Sequence, residues 1–195
     1  MAMANLSGAQ PFLRAALPGR TDAGDFNGDG KLDVAVANSG DGTVTAALGN
    51  GNGTFGAPST IPLSQSQPKG LVAADCNGDG KLDLAVSEFG QNQTVILLGN
   101  GSGAFTLRSA AIPAGSQPWS IGVGDFNGDS KPDFAVPNNC SGNLSVLLNS
   151  LTTTATATLS GITISGTANQ SIEAKYPGVA PYGASTSNTV FLPPI

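Results

Sequence analysis

DFNGDGKLD at Asp25 to Asp33, DCNGDGKLD at Asp75 to Asp83 and DFNGDSKPD at Asp125 to Asp133 are one nine-residue loop written three times, at intervals of fifty residues. Oxygen-bearing side chains fall at positions 1, 3, 5 and 9 of every copy. A short turn wraps a hard cation with just such an alternation, because calcium takes six to eight oxygen ligands at roughly 2.3–2.6 Å. The first loop offers Asp25, Asn27, Asp29, the backbone carbonyl of Lys31 at position 7, and Asp33. The second offers Asp75, Asn77, Asp79, the carbonyl of Lys81, and Asp83; the third offers Asp125, Asn127, Asp129, the carbonyl of Lys131, and Asp133. The expected cofactor is therefore calcium, up to three ions.

Gly30 and Gly80 at position 6 let the backbone turn with positive φ at no steric cost. Ser130 takes that place in the third loop, and Pro132 at position 8 biases Lys131 toward an extended conformation. The third site is accordingly expected to be the weakest. Phe26, Cys76 and Phe126 at position 2, with Leu32, Leu82 and Pro132 at position 8, are expected to point away from the ion into the body of the domain.

An EF-hand opens with the same pattern but needs a bidentate carboxylate at position 12 and a following helix. Position 12 here is Val36, Val86 and Val136, followed by no amphipathic period; DVAVAN, DLAVSE and DFAVPN after position 8 read as strands. Asp, Asn and Gly also cluster in turns that bind no metal. Three copies in register, with the same four-position oxygen pattern, favour the metal.

A period near fifty residues signals stacked repeat units. Pro18, Pro68 and Pro118 precede the loops at equal distances, and LGNGNGTF at Leu48 to Phe55 returns as LGNGSGAF at Leu98 to Phe105. The second unit divides into four extended pieces, Gly70 to Ala74, Leu82 to Ser87, Thr94 to Leu98 and Phe105 to Ile112. Four strands per unit make a propeller blade. After each loop, bulky residues on one face (Val34 and Val36, Leu84 and Val86, Phe134 and Val136) oppose small ones on the other, where Ala35, Ala85 and Ala135 admit a neighbouring blade.

The DxNxDxxxD loops, their apolar strands and the GNGxGxF turns resemble the FG-GAP or VCBS type of calcium-loop repeat, as in integrin α-subunit propellers and many secreted bacterial proteins. The resemblance spans roughly residues 10 to 149. It implies that each loop joins the first two strands of a blade and binds calcium through the residues named above. Propellers close with about 4 to 8 blades, so three loops imply a partial or open β-propeller. PFLRAALP at Pro11 to Pro18 resembles TLRSAAIP at Thr106 to Pro113 and reads as the last strand of a preceding blade. Self-association and additional blades in a longer parent chain are two ways to complete such an array; capping of an open stack by the tail is a third.

From Leu151 the composition turns to Thr, Ala and Ser. AKYPGVAPYGASTSNTV within it is similar to the closing strands of bacterial Ig-like repeats, at about half the roughly 100 residues of an Ig-type sandwich. The expected fold is thus all-β: three four-stranded propeller-type blades over residues 1–150 and a partial Ig-like strand segment over 151–195.

Of 13 acidic residues, nine lie in the loops, leaving Asp22, Asp41, Glu88 and Glu173 elsewhere. Three divalent ions would change the formal net charge from −5 to +1, so the acidity belongs to the sites, and no basic patch points to nucleic acid. Cys76 and Cys140 sit in no framework spacing. No segment has the apolar length of a membrane span, and the first residues do not read as a signal peptide. The chain has no histidine, hence no Ser-His-Asp or Cys-His pair, and its four remaining carboxylates are scattered.

These readings favour a non-catalytic calcium-binding module for extracellular or cell-surface binding or adhesion, with a protein or glycan as partner. Two alternatives are a part of a secreted polysaccharide-active enzyme whose catalytic residues lie largely outside this chain, with Lys69 and Trp119 at equivalent repeat positions, and a structural spacer.

Overall fold

The computed structural model describes residues 18–63, 67–108 and 110–149, with four short strands between residues 170 and 192. The described residues are all β, without a helix. The chain divides into two units, Met1–Ser150 and Leu151–Ile195.

Among the described residues the first unit holds three antiparallel sheets, one per loop. In the first, β1 (Pro18–Gly24), β2 (Asp33–Asn38), β3 (Thr43–Ala47) and β4 (Ser59–Pro62) lie side by side in chain order. The second repeats this with β5 (Pro68–Ala74), β6 (Asp83–Glu88), β7 (Gln93–Gly99) and β8 (Phe105–Leu107), and β9 (Ile112–Pro113) also pairs with β7. The expected fourth piece is thus split, β8 meeting Leu97 to Gly99 and β9 meeting Gln93 and Thr94. The third sheet orders β10 (Gly122–Gly124), β11 (Asp133–Asn138) and β12 (Asn143–Leu147), three strands among the described residues. These are propeller-type blades in an open array.

The hairpins between second and third strands form because a left-handed residue stands at each turn. Gly42 (φ 64°), Asn92 (φ 56°) and Gly142 (φ 62°) occupy equivalent places, types that accept this conformation most readily. Gly42 and Gly142 donate back to the carbonyls of Asn38 and Asn138 at 2.9 and 3.0 Å.

The blades stack through their alternating faces. Side chains at successive strand positions point to opposite faces, so Leu84, Val86, Val95 and Leu97 join Phe26, Ala35, Ala37, Val44, Ile61 and Leu63 of the first blade in one core. Ala85 and Ile96 turn the other way and join Ile121, Phe134 and Val136 of the third blade in a second core. The small face of one blade therefore receives the bulky face of the next, as the alternation predicts. Polar contacts fix the stacking: Ala73 N–H donates to Asp22 Oδ2 at 2.8 Å, Ser39 Oγ to the Pro68 carbonyl at 2.9 Å, and Gly103 N–H to the Phe26 carbonyl at 3.0 Å.

The structure corrects two expectations. Leu32 is 70% exposed and Phe126 53% exposed, so neither points into the body of the domain. Position 2 faces the following blade and position 8 the preceding one: Phe26 stacks edge-on against Phe105 at 5.3 Å, and a Cβ on Gly24 would meet Leu82 Cδ1 at 2.5 Å. For the first loop's position 8 and the third loop's position 2, no described blade stands on that side. Second, Pro18 opens β1 just as Pro68 opens β5, so it belongs to the first blade and not to a preceding strand. Residues 11–17 of that proposed strand lie outside the described residues.

In the second unit β13 (Gln170–Ile172) pairs antiparallel with β16 (Val190–Leu192), and β14 (Lys175–Tyr176) with β15 (Ser185–Thr186). The pairs nest like the successive rungs of one hairpin.

Candidate metal centre

Each loop joins the first and second strands of its blade and folds around its first carboxylate. Asp25 Oδ1 accepts from the amides of Gly28 at 2.7 Å, Asp29 at 3.2 Å and Asn27 at 3.3 Å, while Oδ2 accepts from Gly30 at 2.8 Å. Asp75 accepts from Gly78, Asp79 and Gly80, and Asp125 from Gly128, Asp129 and Ser130, at 2.7 to 3.2 Å. The Gly30 amide foremost, with the others, holds the Asp25 carboxyl below the usual carboxylate range, against partial desolvation; the Ser130 amide does the same for Asp125. Both remain ionised at neutral pH.

Positions 3 and 5 complete the turn. Asn27, Asn77 and Asn127 accept from the amides of Asp29, Asp79 and Asp129 at 3.0, 2.9 and 2.9 Å. Asp29, Asp79 and Asp129 accept from the amides of Lys31, Lys81 and Lys131 at 2.9, 3.0 and 3.0 Å. The lysine ammonium folds back toward the same aspartate, at 3.0 Å in the first loop and 3.8 Å in the others. Its hydrogen bond is the leading cause of the lowered Asp29 pKa. Position 6 has φ of 78° at Gly30, 80° at Gly80 and 63° at Ser130, so the serine does adopt the left-handed conformation that its place demands.

Position 9 behaves differently. Asp33, Asp83 and Asp133 are essentially fully buried at the start of the second strand. Oδ2 of each accepts from the amide of position 2, Phe26 at 2.8 Å, Cys76 at 3.0 Å and Phe126 at 3.0 Å. Oδ1 accepts, at 2.7 Å each time, from a residue sixteen places on: Gly49, Gly99 and Asn149. The carboxylate thus staples the loop to the turn after the third strand. Gly49 and Gly99 open the GNGxGxF turns, and a Cβ on either would lie 2.1 Å from the carbonyl oxygen of Leu32 or Leu82. In the sequence these aspartates read only as ligands and the staple went unseen; the fixed sixteen-residue spacing to a glycine in two copies was its one signal.

Positions 1, 3 and 5 are therefore tied together by amides within one loop, and position 9 is buried at its end. Burial pushes the Asp83 carboxyl up, and the charges of Asp79 and Asp75 add to the shift, so the carboxylates of one loop do repel one another. Among the described residues no lysine or arginine pairs with Asp33, Asp83 or Asp133. Nor do three acidic, His or Cys side chains among them stand arranged to hold a metal ion. Chemically the set fits a hard cation: all donors are oxygens, and a buried carboxylate held by two amides alone still calls for a counter-charge. As it stands, each loop is closed on its own amides and lysine.

Cys76 is buried and Cys140 exposed, and both are free. Burial pushes the Cys76 thiol up to about 12, with the charges of Asp83 and Asp75 adding to it. Lys69 lies over the rings of Phe89 and Trp119 at 5.8 and 5.2 Å. No described helix is long and apolar enough to cross a membrane.

No curated protein matches the chain. The model of the FG-GAP-like repeat matches residues 25–86 and 75–136. Each match begins at position 1 of one loop and ends at position 12 of the next, so the two together span more than half of the chain. Modules of this type are generally non-catalytic binding domains. With blades, loops and register in agreement, the chain belongs to the FG-GAP-like repeat family.

Proposed function

We propose that this chain is a non-catalytic, calcium-binding module of the VCBS kind, stiffened by ions at its three loops and serving extracellular or cell-surface binding to a protein or glycan. The observation carrying this reading is the buried position-9 aspartate that closes each loop of oxygen side chains, repeated three times without a cationic partner among the described residues. Asp25, Asn27, Asp29, the Lys31 carbonyl and Asp33 would hold the first ion, and their equivalents the second and third. The ion would supply the counter-charge that the lysine now supplies in part. Modules of this kind outside cells have dissociation constants on the order of 10⁻⁴ to 10⁻³ M, which ties a rigid state to calcium-rich surroundings. The nested strands after residue 169 support the Ig-like reading of the tail.

Calorimetric titration of calcium into the chelator-treated full chain tests this. The expected result is heat from up to three sites, the third weakest, with a rise in melting temperature, because a ligand that binds only the folded state stabilises it. Magnesium should do less, since it demands a tighter octahedral shell. Neither heat nor a thermal shift with calcium would remove the proposal.

A further inference from the structure

We propose that Asn100–Gly101, in the turn before β8, is a site of spontaneous modification, where attack by the Gly101 nitrogen and addition of water convert the Asn100 amide to aspartate or isoaspartate. Asparagine followed by glycine occurs at Asn27, Asn50, Asn52, Asn77, Asn100 and Asn127. Sequence alone makes these pairs equal, because a following glycine has no side chain to shield its nitrogen. The hydrogen bonds of the folded chain separate them.

Attack needs a glycine N–H that is not already held. In the three metal loops it is held: Gly28 donates to Asp25 at 2.7 Å, Gly78 to Asp75 at 2.8 Å and Gly128 to Asp125 at 2.7 Å. The glycines that follow an aspartate are engaged as well, Gly30 and Gly80 by the same carboxylates and Gly42 by the Asn38 carbonyl. Gly51, Gly53 and Gly101 in the GNGxGxF turns donate to no described residue. Backbone angle is not the cause of the difference, since φ is 76° at both Gly28 and Gly101.

The carbonyl under attack then distinguishes the three turn pairs. Negative charge develops on Oδ1 as the side-chain carbon becomes tetrahedral, and donors aimed at that oxygen stabilise it as an oxyanion hole does. Asn50 Oδ1 accepts from no described residue, while its Nδ2 donates to Thr54 Oγ1. Asn52 Oδ1 accepts from the Thr54 amide at 3.1 Å and from Thr54 Oγ1 at 2.7 Å. Asn100 Oδ1 accepts three bonds, from the Ser102 amide at 2.8 Å, Ser102 Oγ at 2.9 Å and the Ala104 amide at 3.2 Å. Asn100 is also exposed, so water reaches it. An unheld nucleophile and the most polarised carbonyl of the set thus meet at one peptide bond.

The chemistry balances with water as the co-reactant. The Gly101 nitrogen bonds to Asn100 Cγ and loses its proton, the Cγ–Nδ2 bond breaks, and ammonia leaves with that proton. Water opens the resulting cyclic imide at either carbonyl. Opening at one gives aspartate; opening at the other gives isoaspartate, which adds a carbon to the main chain between residues 100 and 101. That turn lies between Gly99, which is bonded to Asp83, and Gly103, which donates to the Phe26 carbonyl of the first blade. The longer main chain would loosen the second blade from the first.

The proposal rests on hydrogen bonds within the protein and is independent of the calcium reading. The full chain is incubated in calcium-free buffer at mildly alkaline pH, below its unfolding temperature, and in parallel in urea. Tryptic cleavage at Lys69, Lys81 and Arg108 puts Asn77 and Asn100 on separate peptides, in which mass spectrometry measures aspartate and isoaspartate. In the folded chain Asn100 should convert about tenfold or more faster than Asn77, whose glycine must first leave a carboxylate, and in urea the two rates should converge. Ser102→Ala removes one donor from an exposed side chain and should slow Asn100 by about two- to tenfold in the folded chain, with no effect in urea. Folded protein in which any other asparagine–glycine pair keeps pace with Asn100 overturns the proposal. So does an Asn100 that reacts in urea but not in the folded chain, or a Ser102→Ala variant whose folded-state rate is unchanged.

Discussion

Replacing Gly99 with alanine should be among the most damaging single-methyl additions in the second blade. The new Cβ would stand 2.1 Å from the Leu82 carbonyl oxygen, where ordinary contact begins near 3.4 Å, and the oxygen is backbone that cannot rotate away. Relief requires about 1.3 Å of movement between the turn and the loop. The same movement would take the Gly99 amide from 2.7 Å to about 4 Å from Asp83 Oδ1, beyond any hydrogen bond. Overpacking costs about 1–3 kcal/mol, and a lost bond to a buried charged group about 1.5–3 kcal/mol. Together they predict about 2.5–6 kcal/mol, a fall in melting temperature of roughly 5–25 °C for a unit of this size. Urea unfolding of the full chain measures this against Gly53→Ala, where the space is open and only the left-handed φ of 84° is at stake, at about 1–2 kcal/mol. Asn149 makes the same bond in the third blade with a side chain present, but without a GNGxGxF turn after it. If the second blade can relax likewise, Gly99→Ala will cost no more than Gly53→Ala, and the staple argument is refuted.

Ser130→Gly should stabilise the protein by about 0.5–1 kcal/mol, since it removes a left-handed serine at the expense of some unfolded-chain entropy; a neutral or lower urea midpoint contradicts this. In calcium-free buffer, Asp25 and Asp125 have lowered folded pKa values, so their contribution is complete above the ordinary 3.8 and is lost as pH falls through the folded values below it. Asp83 has a raised value, so its penalty is full above that value and is relieved as pH falls through it toward 3.8. Melting curves from about pH 6 to about pH 3 should therefore show Asp83→Asn lacking a gain on mild acidification and Asp25→Asn lacking part of the loss at the acid end. One thiol should react promptly with a thiol reagent in the native protein, that of Cys140, while buried Cys76 reacts at the rate of unfolding; two fast thiols would contradict the packing.

Much of this architecture is written locally. The fifty-residue register, the strands after each loop and the small-against-bulky faces follow from residues whose neighbours in space are fixed by alternation, such as Ala85 between Leu84 and Val86. What was not legible depends on which blade stands beside which. Leu32 and Phe126 carry the same local pattern as Leu82 and Phe26, yet they are exposed because no described blade covers them. The stapling role of position 9 was hidden for another reason: an aspartate that staples a loop looks in sequence like one that ligates, and only the amides at its two oxygens reveal the staple. Pro18 was misread because a proline suits the end of one strand as well as the start of the next.

The opposed faces of each sheet give the module a grammar of length. Since every blade ends in a flat side and begins with a bulky one, any stretch of fifty residues, wherever its two cuts fall, carries one complete pair of matching sides. Duplicating such a stretch in the gene would lengthen the array without a single new contact having to be invented, while an insertion of thirty or forty would leave one blade short of its strands. The number of blades is thus free to change in evolution by whole steps, and the repeat can be engineered by the same unit.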